Sequence, residues 1–316
     1  MPDVVVLGAG ANGLATAITL LQRGHRVAVW TRDEPTNTVS AVAAAVWYPF
    51  LSEPRDRVLR WSAATFAHLR QLTGDPATGV RMAPLLEALP EDAGEPWWAS
   101  AVDHWERLPR ERVPAPFAAA IAVVVPICDT TIHLPWLQQR MLDLGGSIVR
   151  RTVRHLDEAL AAAPAVVNCT GLGAASLCHD DQLVAVRGQV VCIDPLPVPG
   201  SLIDATGDQP VYVVPRERDV VIGGTAQSGD HRIEPDARDT ERILAAAAQR
   251  MPCLRSVRIR DVRVGLRPYR SAIRLERESH SDGRCLVHNY GHGGSGFTLN
   301  WGCAAEVAEL LPPATP

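Results

Sequence analysis

Apolar positions near the start of the chain change from runs typical of buried strands to the spacing of an amphipathic helix. Val4 to Leu7 is a short apolar run, helical spacing follows from about Asn12 to Arg23, and Arg26 to Trp30 is a second apolar run. Gly24 lies where a helix is expected to end. The pattern predicts a βαβ unit within the first 33 residues.

Helical and strand-like patterns continue along the chain, but their order changes near residue 184. Helices are predicted at Arg57–Leu72, Trp136–Leu144, Leu156–Ala162, Thr240–Met251 and Thr298–Leu311. Residues 74–116, rich in Pro, Glu and Trp, predict irregular structure with short strands, and regular strands are predicted at Ser147–Val153 and Ala165–Cys169. The later strands favour antiparallel pairing, at Val184–Ile193, Gln209–Val214, Asp219–Gly223 and Ser256–Leu266. We therefore expect an α/β fold in which a Rossmann-like half is interleaved with a mostly antiparallel β domain.

The turn between the first strand and the first helix carries Gly8, Gly10 and Gly13 in the spacing G-x-G-x-x-G. Glycines at this spacing permit a tight turn and leave room for a pyrophosphate at the helix start. The strand before and the helix after the motif make a dinucleotide site the prediction. Arg32 and Asp33 end the second strand, where an acidic ribose partner is expected. Arg32 suits the 2′-phosphate of NADP or the adenosine or pyrophosphate of FAD, so the motif leaves both cofactors open.

A second glycine-rich segment lies near the end of the chain, between an apolar run and the last predicted helix. It contains Gly291, Gly293, Gly294 and Gly296, together with His288 and His292. Dense glycine lets the backbone adopt positive φ and approach a flat ligand closely. The N-terminus of the following helix is suited to a partly anionic cofactor ring.

Composition excludes several kinds of partner and chemistry. The chain has 316 residues, 47% of them hydrophobic, which suits one large or two intimately joined domains. Its formal net charge of −4 suggests no nucleic-acid partner. All 31 basic residues are arginine, and the absence of lysine argues against Schiff-base chemistry with pyridoxal phosphate.

Cysteine and histidine spacing predicts no metal site. The seven cysteines form no C-x-x-C pair, and the two histidines that are four residues apart lie in the glycine-rich segment. We expect free thiols in a reducing compartment. Met1 to Asp3 leads directly into the first strand, and the longest apolar run, Phe117 to Cys128, is too short to span a bilayer. A soluble, cytoplasmic protein without a membrane partner is predicted.

Seven short segments occur in a fixed order along the whole chain, at Gly8–Gly13, Ala43–Trp47, Val167–Gly171, Arg187–Gln189, Tyr212–Pro215, Gly265–Pro268 and His288–Thr298. In this order they resemble the D-amino-acid oxidase family, the FAD flavoenzymes that also include D-aspartate oxidase. The resemblance implies that the cofactor is FAD, bound non-covalently, rather than NADP.

The resemblance also implies how a substrate is held. Arg267 matches the arginine that grips the substrate α-carboxylate, and a guanidinium is suited to this because it pairs bidentately and stays charged. Tyr212 matches a tyrosine whose hydroxyl contacts the same carboxylate. Gly294 matches the backbone carbonyl that receives the substrate amine, and Tyr48 is a further substrate-pocket candidate.

The cofactor site implied by the motifs and by the resemblance is larger. Its members are Gly8, Gly10, Ala11, Asn12, Gly13, Arg32, Asp33, Ser40, Ala44, Ala45, Val46, Val153, Thr170, Gly293, Gly294, Ser295, Gly296, Phe297 and Thr298. We expect Ala44, Ala45 and Val46 to lie against the isoalloxazine. His288 and His292 are expected to have a structural role in their loop rather than to act as a general base.

The activity implied by the resemblance is oxidative deamination of neutral D-amino acids to 2-oxo acids, ammonia and hydrogen peroxide. It proceeds by hydride transfer from the α-carbon to flavin N5, and O2 reoxidises the flavin. The alternatives are D-aspartate oxidase, a related amine or glycine oxidase, a dehydrogenase of the same fold, and a non-catalytic FAD- or NADP-binding protein.

The resemblance further suggests how the chain is organised. Residues 1–50, 140–183 and 265–316 are expected to form a discontinuous FAD-binding domain, and residues 51–139 and 184–264 a substrate or cap domain. Because the family is often dimeric, a homodimer is left open. Some members carry a lid tyrosine four residues before the tyrosine matched here by Tyr212, but this chain has Asp208 there. We therefore expect a more open entrance to the site.

Overall fold

The computed structural model describes residues 1–50, 52–207, 210–279 and 283–314, so Asp208 and Gln209 lie outside the described residues. The strands are β1 (Val4–Leu7), β2 (Val27–Thr31), β3 (Val80–Leu89), β4 (Trp105–Arg107), β5 (Ala119–Cys128), β6 (Ser147–Arg150), β7 (Ala165–Asn168), β8 (Val184–Ile193), β9 (Ser201–Asp204), β10 (Val211–Pro215), β11 (Val220–Gly223), β12 (Gln227–Ser228), β13 (Ile259–Ser279) and β14 (Cys285–His292). The helices are α1 (Ala11–Gln22), α2 (Val39–Val42), α3 (Arg55–Leu72), α4 (Thr130–Asp143), α5 (Leu156–Leu160), α6 (Gly173–Leu177), α7 (Ala237–Arg250) and α8 (Gly296–Leu310).

The parallel half of the sheet has the strand order β14-β7-β1-β2-β6. All four residues of β1 are buried, as expected for a strand covered on both faces. Helix α1 connects β1 to the parallel strand β2, so the predicted βαβ unit is confirmed. The carboxyl ends of β1 and β7 lie side by side, which is where open α/β sheets bind ligands.

The second half of the sheet has the order β4-β5-β3-β9-β10-β11-β8-β13, and β12 pairs with β8. Only the β3–β9 pair is parallel among these neighbours, so the predicted mixture of a Rossmann-like half and a mostly antiparallel half is confirmed. Strand β13 joins the halves, because its first part pairs with β8 and its second part pairs with β14.

Helices α1, α3, α4 and α8 contribute to one apolar core with β1, β2 and β7. Helices α8 and α3 cross closely, since a Cβ on Gly302 would overlap the carbonyl of Trp61. The Thr65 hydroxyl accepts a hydrogen bond from the Gly302 N–H at 2.9 Å. Helix α3 and most of α4 lie in the stretch that is expected to form the substrate domain, and both pack on the core of the parallel half.

Several elements differ from their predicted bounds. The region predicted to be irregular contains the ten-residue strand β3, and the apolar run before residue 129 forms the ten-residue strand β5. Helix α4 begins at Thr130 rather than Trp136, because the Asp129 carboxylate caps it by accepting the Thr131 N–H at 3.0 Å. Strand β13 continues past its predicted end at Leu266 to Ser279. None of the helices in the described part of the chain is long and apolar enough to cross a bilayer.

Candidate functional site

A cavity of about 1770 Å³ is lined by residues from both halves of the sheet. The predicted site residues in its wall are Gly8, Gly10, Asn12, Gly13, Arg32, Asp33, Ser40, Ala44, Ala45, Val46, Tyr48, Val153, Thr170, Tyr212, Arg267, Gly293, Gly294, Gly296 and Phe297. Ala11, Ser295 and Thr298 are the predicted residues outside the wall. The fold therefore brings segments from the whole chain to one cavity.

The glycine turn after β1 has a geometry that only glycine can adopt at two positions. Gly8 has φ +100°, and a Cβ there would lie 2.6 Å from the carbonyl oxygen of Cys169. A Cβ on Gly13 would overlap the carbonyl oxygen of Gly8. The start of α1 therefore lies close under the strand ends and faces the cavity. There the Ser40 hydroxyl accepts a hydrogen bond from the Ala11 N–H at 3.0 Å.

Three buried polar atoms in the cavity wall have no hydrogen-bond partner within the described ranges. They are Asn12 Oδ1, Asn289 Oδ1 and His292 Nε2. Unsatisfied buried polar atoms are rare, and a ligand in the cavity would supply partners. Together with the glycine turn, these atoms fit a large polar dinucleotide such as FAD.

The two histidines of the glycine-rich segment have different surroundings. His288 points away from the cavity, with Nε2 3.2 Å from Glu278 Oε2 and Nδ1 3.8 Å from Cys178 Sγ. His292 lies in the cavity wall, and burial lowers its pKa to about 4, so its ring is neutral near pH 7. Their sequence context does not distinguish the two histidines, whereas the structure places only His292 in the cavity wall.

Arginines are frequent at the nucleotide end of the cavity, the end formed by the carboxyl ends of β2 and β6. Arg32 donates to Asp33 at 2.8 Å, and both side chains line the cavity. Arg151 and Arg154 also line it, although the sequence analysis missed them. The parallel pairing of β2 with β6 was the signal that could have identified them, because it brings the ends of these two strands together.

The opposite end of the cavity contains Arg267 and Tyr212. Arg267 Nη1 donates to the carbonyl of Thr225 at 2.8 Å, and Nη2 lies 3.4 Å from the Tyr212 hydroxyl oxygen. The guanidinium lies over Gly188, where any Cβ would overlap it, and the Tyr212 ring lies over Gly223 in the same way. Among the ion pairs of the described residues, none joins Arg267 to a carboxylate, so its charge is free to bind an anionic ligand.

The segment that contains Gly188 also fixes the carbonyl to which Arg267 binds. The Gln189 N–H donates to the Thr225 hydroxyl at 2.9 Å. Arg187 is fully buried and donates to Asp239 at 3.1 Å and to the carbonyl of Glu234 at 2.8 Å. This explains the Arg187–Gln189 motif, to which the sequence analysis gave no role.

The start of α8 binds the backbone of Tyr48 and Phe50, a segment that lines the cavity. The Thr298 hydroxyl accepts from the Tyr48 N–H at 3.1 Å and donates to the Tyr48 carbonyl at 3.0 Å. The Ser295 hydroxyl bonds the N–H and the carbonyl of Phe50 at 3.1 and 2.8 Å. The Ser295 and Thr298 side chains are thus occupied behind the wall, which is why they do not line the cavity.

Tyr48 has a buried acidic partner that the sequence analysis missed. Its hydroxyl donates to Glu87 Oε1 at 2.6 Å. The Glu87 side chain is 8% exposed, and burial raises its pKa. Burial and the adjacent Glu87 also raise the pKa of Tyr48, so the phenol keeps its proton at neutral pH.

One cavity shared by a parallel nucleotide-binding half and an antiparallel half is the arrangement of a dinucleotide-dependent oxidoreductase. The sequence identifies the family more closely. A family model described as FAD dependent oxidoreductase, DAO, matches residues 3–310, and the chain belongs to this family. FAD is accordingly its cofactor, and the resemblance found in the sequence is confirmed.

Similar proteins cover nearly the whole chain. A D-amino-acid oxidase of Rubrobacter xylanophilus is 42% identical over 312 residues, covering 98% of this chain and 96% of the relative. A D-amino-acid oxidase of Streptomyces coelicolor is 40% identical over 316 residues, with coverage of 98% and 96%. Among solved structures, glycine oxidase from Geobacillus kaustophilus superimposes with a TM-score of 0.81 at 22% identity, covering 100% of this chain and 95% of that one. At this identity the last comparison shows the fold alone.

Proposed function

We propose that the protein is a D-amino-acid oxidase that converts neutral D-amino acids into 2-oxo acids, ammonia and hydrogen peroxide with FAD and O2. The observation that carries the proposal is Arg267, a guanidinium without a carboxylate partner among the described residues, beside the Tyr212 hydroxyl in the cavity. A free guanidinium next to a hydroxyl is suited to an α-carboxylate. The D-amino-acid oxidases at 40% and 42% identity support the same activity.

On this proposal the chain mainly binds and orients. The glycine turn, Asn12 and the start of α1 would hold the dinucleotide, and FAD when bound supplies the acceptor for the hydride from the substrate α-carbon. Arg267 and Tyr212 would fix the α-carboxylate, and the Gly294 carbonyl would accept a hydrogen bond from the amine. A Cβ on Gly294 would lie 3.7 Å from Arg267 Cδ, so these groups are close enough to bind one small substrate. Orientation of this kind accounts for much of the rate of such reactions.

Charges around the cavity support neutral rather than acidic substrates. A second carboxylate would require a second free cation near Arg267. Arg55 lines the cavity but pairs with Glu53 at 3.2 Å, and Arg32, Arg151 and Arg154 lie at the nucleotide end.

The proposal is tested by mixing the FAD-loaded protein anaerobically with D-alanine, L-alanine or NADPH and recording flavin absorbance. We expect D-alanine alone to bleach the flavin, and one hydrogen peroxide to form per substrate in air. Reduction by NADPH but not by any D-amino acid would refute the proposal. Bleaching by D-alanine with reoxidation by a dye but not by O2 would indicate a dehydrogenase.

Replacing Arg267 tests its assigned role directly. Arg267→Ala should raise KM for D-alanine about 100-fold or more while FAD stays bound, because a charge-assisted contact to the carboxylate is lost. Steady-state kinetics with parallel FAD titration measures both effects. Arg60→Ala, at an exposed position of α3, is the matched control and should leave KM unchanged. An unaltered KM in Arg267→Ala would remove Arg267 from the substrate site.

Three further features remain predictions of the sequence. They are the division into an FAD-binding and a substrate domain, a cytoplasmic location and a homodimer. Sedimentation of the FAD-loaded protein tests the last, since a monomer at micromolar concentration would contradict it.

A further inference from the structure

A thiol, an imidazole and a carboxylate contact one another in sequence outside the cavity wall. The Cys178 Sγ atom lies 3.8 Å from His288 Nδ1, and His288 Nε2 lies 3.2 Å from Glu278 Oε2. Nucleophile, general base and the residue that orients the base have this order in enzymes that activate a cysteine. The proposed oxidation of D-amino acids uses none of the three residues.

The Glu278 carboxylate determines which ring nitrogen of His288 is an acceptor. An ionised carboxylate only accepts, so Nε2 carries the ring hydrogen and donates it to Glu278. The lone pair of Nδ1 is then available to the Cys178 thiol. Burial lowers the pKa of His288, so its ring is neutral near pH 7 and able to take up a proton.

Two further contacts hold the thiol in place. Asn168, at the end of β7, pairs in register with His288 of β14, so both side chains project to one face of the sheet. The Asn168 amide donates to Cys178 Sγ at 3.1 Å, a contact that stabilises negative charge on the sulfur. Asp180 accepts from Arg270 Nε at 3.0 Å, which fixes the chain two residues after Cys178.

The state of the Cys178 thiol explains why it needs a base. Its side chain is partly exposed, so a small reagent is able to reach it. Burial raises the pKa of the thiol, although Arg274 and Asn168 act in the opposite direction. The thiol therefore keeps its proton at neutral pH, and His288 is placed to remove it during attack. Cys253 is exposed, but no hydrogen bond among the described residues joins it to a histidine.

We propose that Cys178 is a modification site for hydrogen peroxide, with His288 as its general base and Glu278 as the residue that orients the base. His288 Nδ1 removes the thiol proton, the sulfur attacks one peroxide oxygen, and the O–O bond breaks. Sulfur is oxidised to a sulfenic acid and the peroxide is reduced. The departing hydroxide takes the proton from His288 and leaves as water. The proposed function would supply hydrogen peroxide, but the reactivity of the site does not depend on it.

Hydrogen peroxide added to the FAD-loaded protein, without an amino acid, tests the inference. Dimedone traps the sulfenic acid, and peptide mass spectrometry gives the labelling rates of Cys178 and Cys253 in one sample. We expect Cys178 to be labelled at least about ten-fold faster, although it is less exposed, because only its thiol contacts a base. His288→Gln should lower the Cys178 rate about 100-fold, the usual contribution of a general base, and leave the Cys253 rate unchanged.

Two variants of Glu278, whose side chain is half exposed, separate orientation of the base from a structural effect. Glu278→Gln keeps an oxygen that accepts from His288 Nε2 and should retain most of the Cys178 rate, whereas Glu278→Leu should lose about ten-fold. His179→Asn alters an exposed histidine next to Cys178 in the chain and should match the wild type. Equal wild-type rates at Cys178 and Cys253, or an unchanged Cys178 rate in His288→Gln, would overturn the inference. Flavin reduction by D-alanine tests the proposed function separately and is unaffected by either result.

Discussion

Two side chains that are proposed to bind the substrate each pack against a glycine. The Arg267 guanidinium lies directly over Gly188, and the Tyr212 ring lies directly over Gly223. Both glycines belong to strands, where glycine normally weakens the sheet and often marks a close approach. Here the close approach is that of the groups proposed to bind the substrate carboxylate.

A single methyl group at position 188 should therefore displace Arg267. We expect Gly188→Ala to raise KM for D-alanine at least ten-fold, with little change in FAD affinity, because the guanidinium cannot keep its place above a Cβ. Steady-state kinetics and flavin fluorescence titration measure the two quantities. Gly94→Ala is the control, since a Cβ there meets nothing within 4 Å. Wild-type kinetics in Gly188→Ala would show that Arg267 has another way to bind.

At the level of single residues, most of the site residues predicted from the sequence motifs lie in the cavity wall, because glycine turns and an unusual arginine context leave local signals. Glu87 left no such signal. It is a carboxylate in a stretch of mixed composition, and only the fold shows its hydrogen bond to the Tyr48 hydroxyl. Thr298 was predicted from its motif to contact the cofactor. In the fold, however, its hydroxyl forms hydrogen bonds with the backbone of Tyr48.

At the scale of elements, helix α8 also fixes a segment of the cavity wall through the side chains at its start. Its first turn supplies Thr298, and Ser295 precedes it, so both backbone polar groups of Tyr48 and of Phe50 are bonded to one helix start. A segment without regular secondary structure gains its hydrogen bonds in this way and becomes a fixed wall.

Removal of the Thr298 hydroxyl should loosen this wall. Thr298→Val keeps the shape but leaves the N–H and carbonyl of Tyr48 unpaired, so the free energy of unfolding should fall by about 1–3 kcal/mol. Urea denaturation of the FAD-free protein measures it, which separates the effect from cofactor binding. Thr298→Ser retains the hydroxyl and should be close to wild type. Equal stability of the valine and serine variants would argue against the two hydrogen bonds.

Elements with a clear local period were predicted correctly, such as α1 and β8. The failures involve proline in unusual positions. Strand β3 contains Pro84 and β5 contains Pro126, and proline within a run normally argues against a central strand. Pro135 lies inside α4, whereas the predicted helix starts only at Trp136, and proline is normally unfavourable within a helix. Non-local pairing and the Asp129 cap outweigh these local signals, and a single sequence does not reveal them.

At the scale of the whole molecule, the core contains histidines that stay neutral. Burial lowers the pKa of His133 and of His292 to about 4. In the unfolded chain the same imidazoles take up protons near pH 6.5. Between these values the unfolded state binds more protons, so stability rises with pH through this window and is lost as the pH falls.

We therefore expect the free energy of unfolding to decrease as the pH is lowered from 6.5 toward 4, by at most about 3 kcal/mol for each of these histidines. Urea denaturation at a series of pH values measures the decrease. His133→Gln can still donate to the carbonyl of Thr78 but does not titrate, so its decrease should be smaller. His231→Gln alters an exposed histidine and should follow the wild type. Parallel curves for His133→Gln and the wild type would contradict this assignment.

Strand β13 has a further consequence for the molecule as a whole. It carries Arg267, and its later part runs beside β14, which leads directly into Gly293 and Gly294. The hydrogen-bond ladder along this strand therefore sets the distance between Arg267, proposed to bind the substrate carboxylate, and Gly293 and Gly294, proposed to contact the flavin. Natural variation in this family should consequently be free of insertions and deletions between Gly265 and Tyr269, because a shift of one residue would turn Arg267 to the opposite face of the sheet.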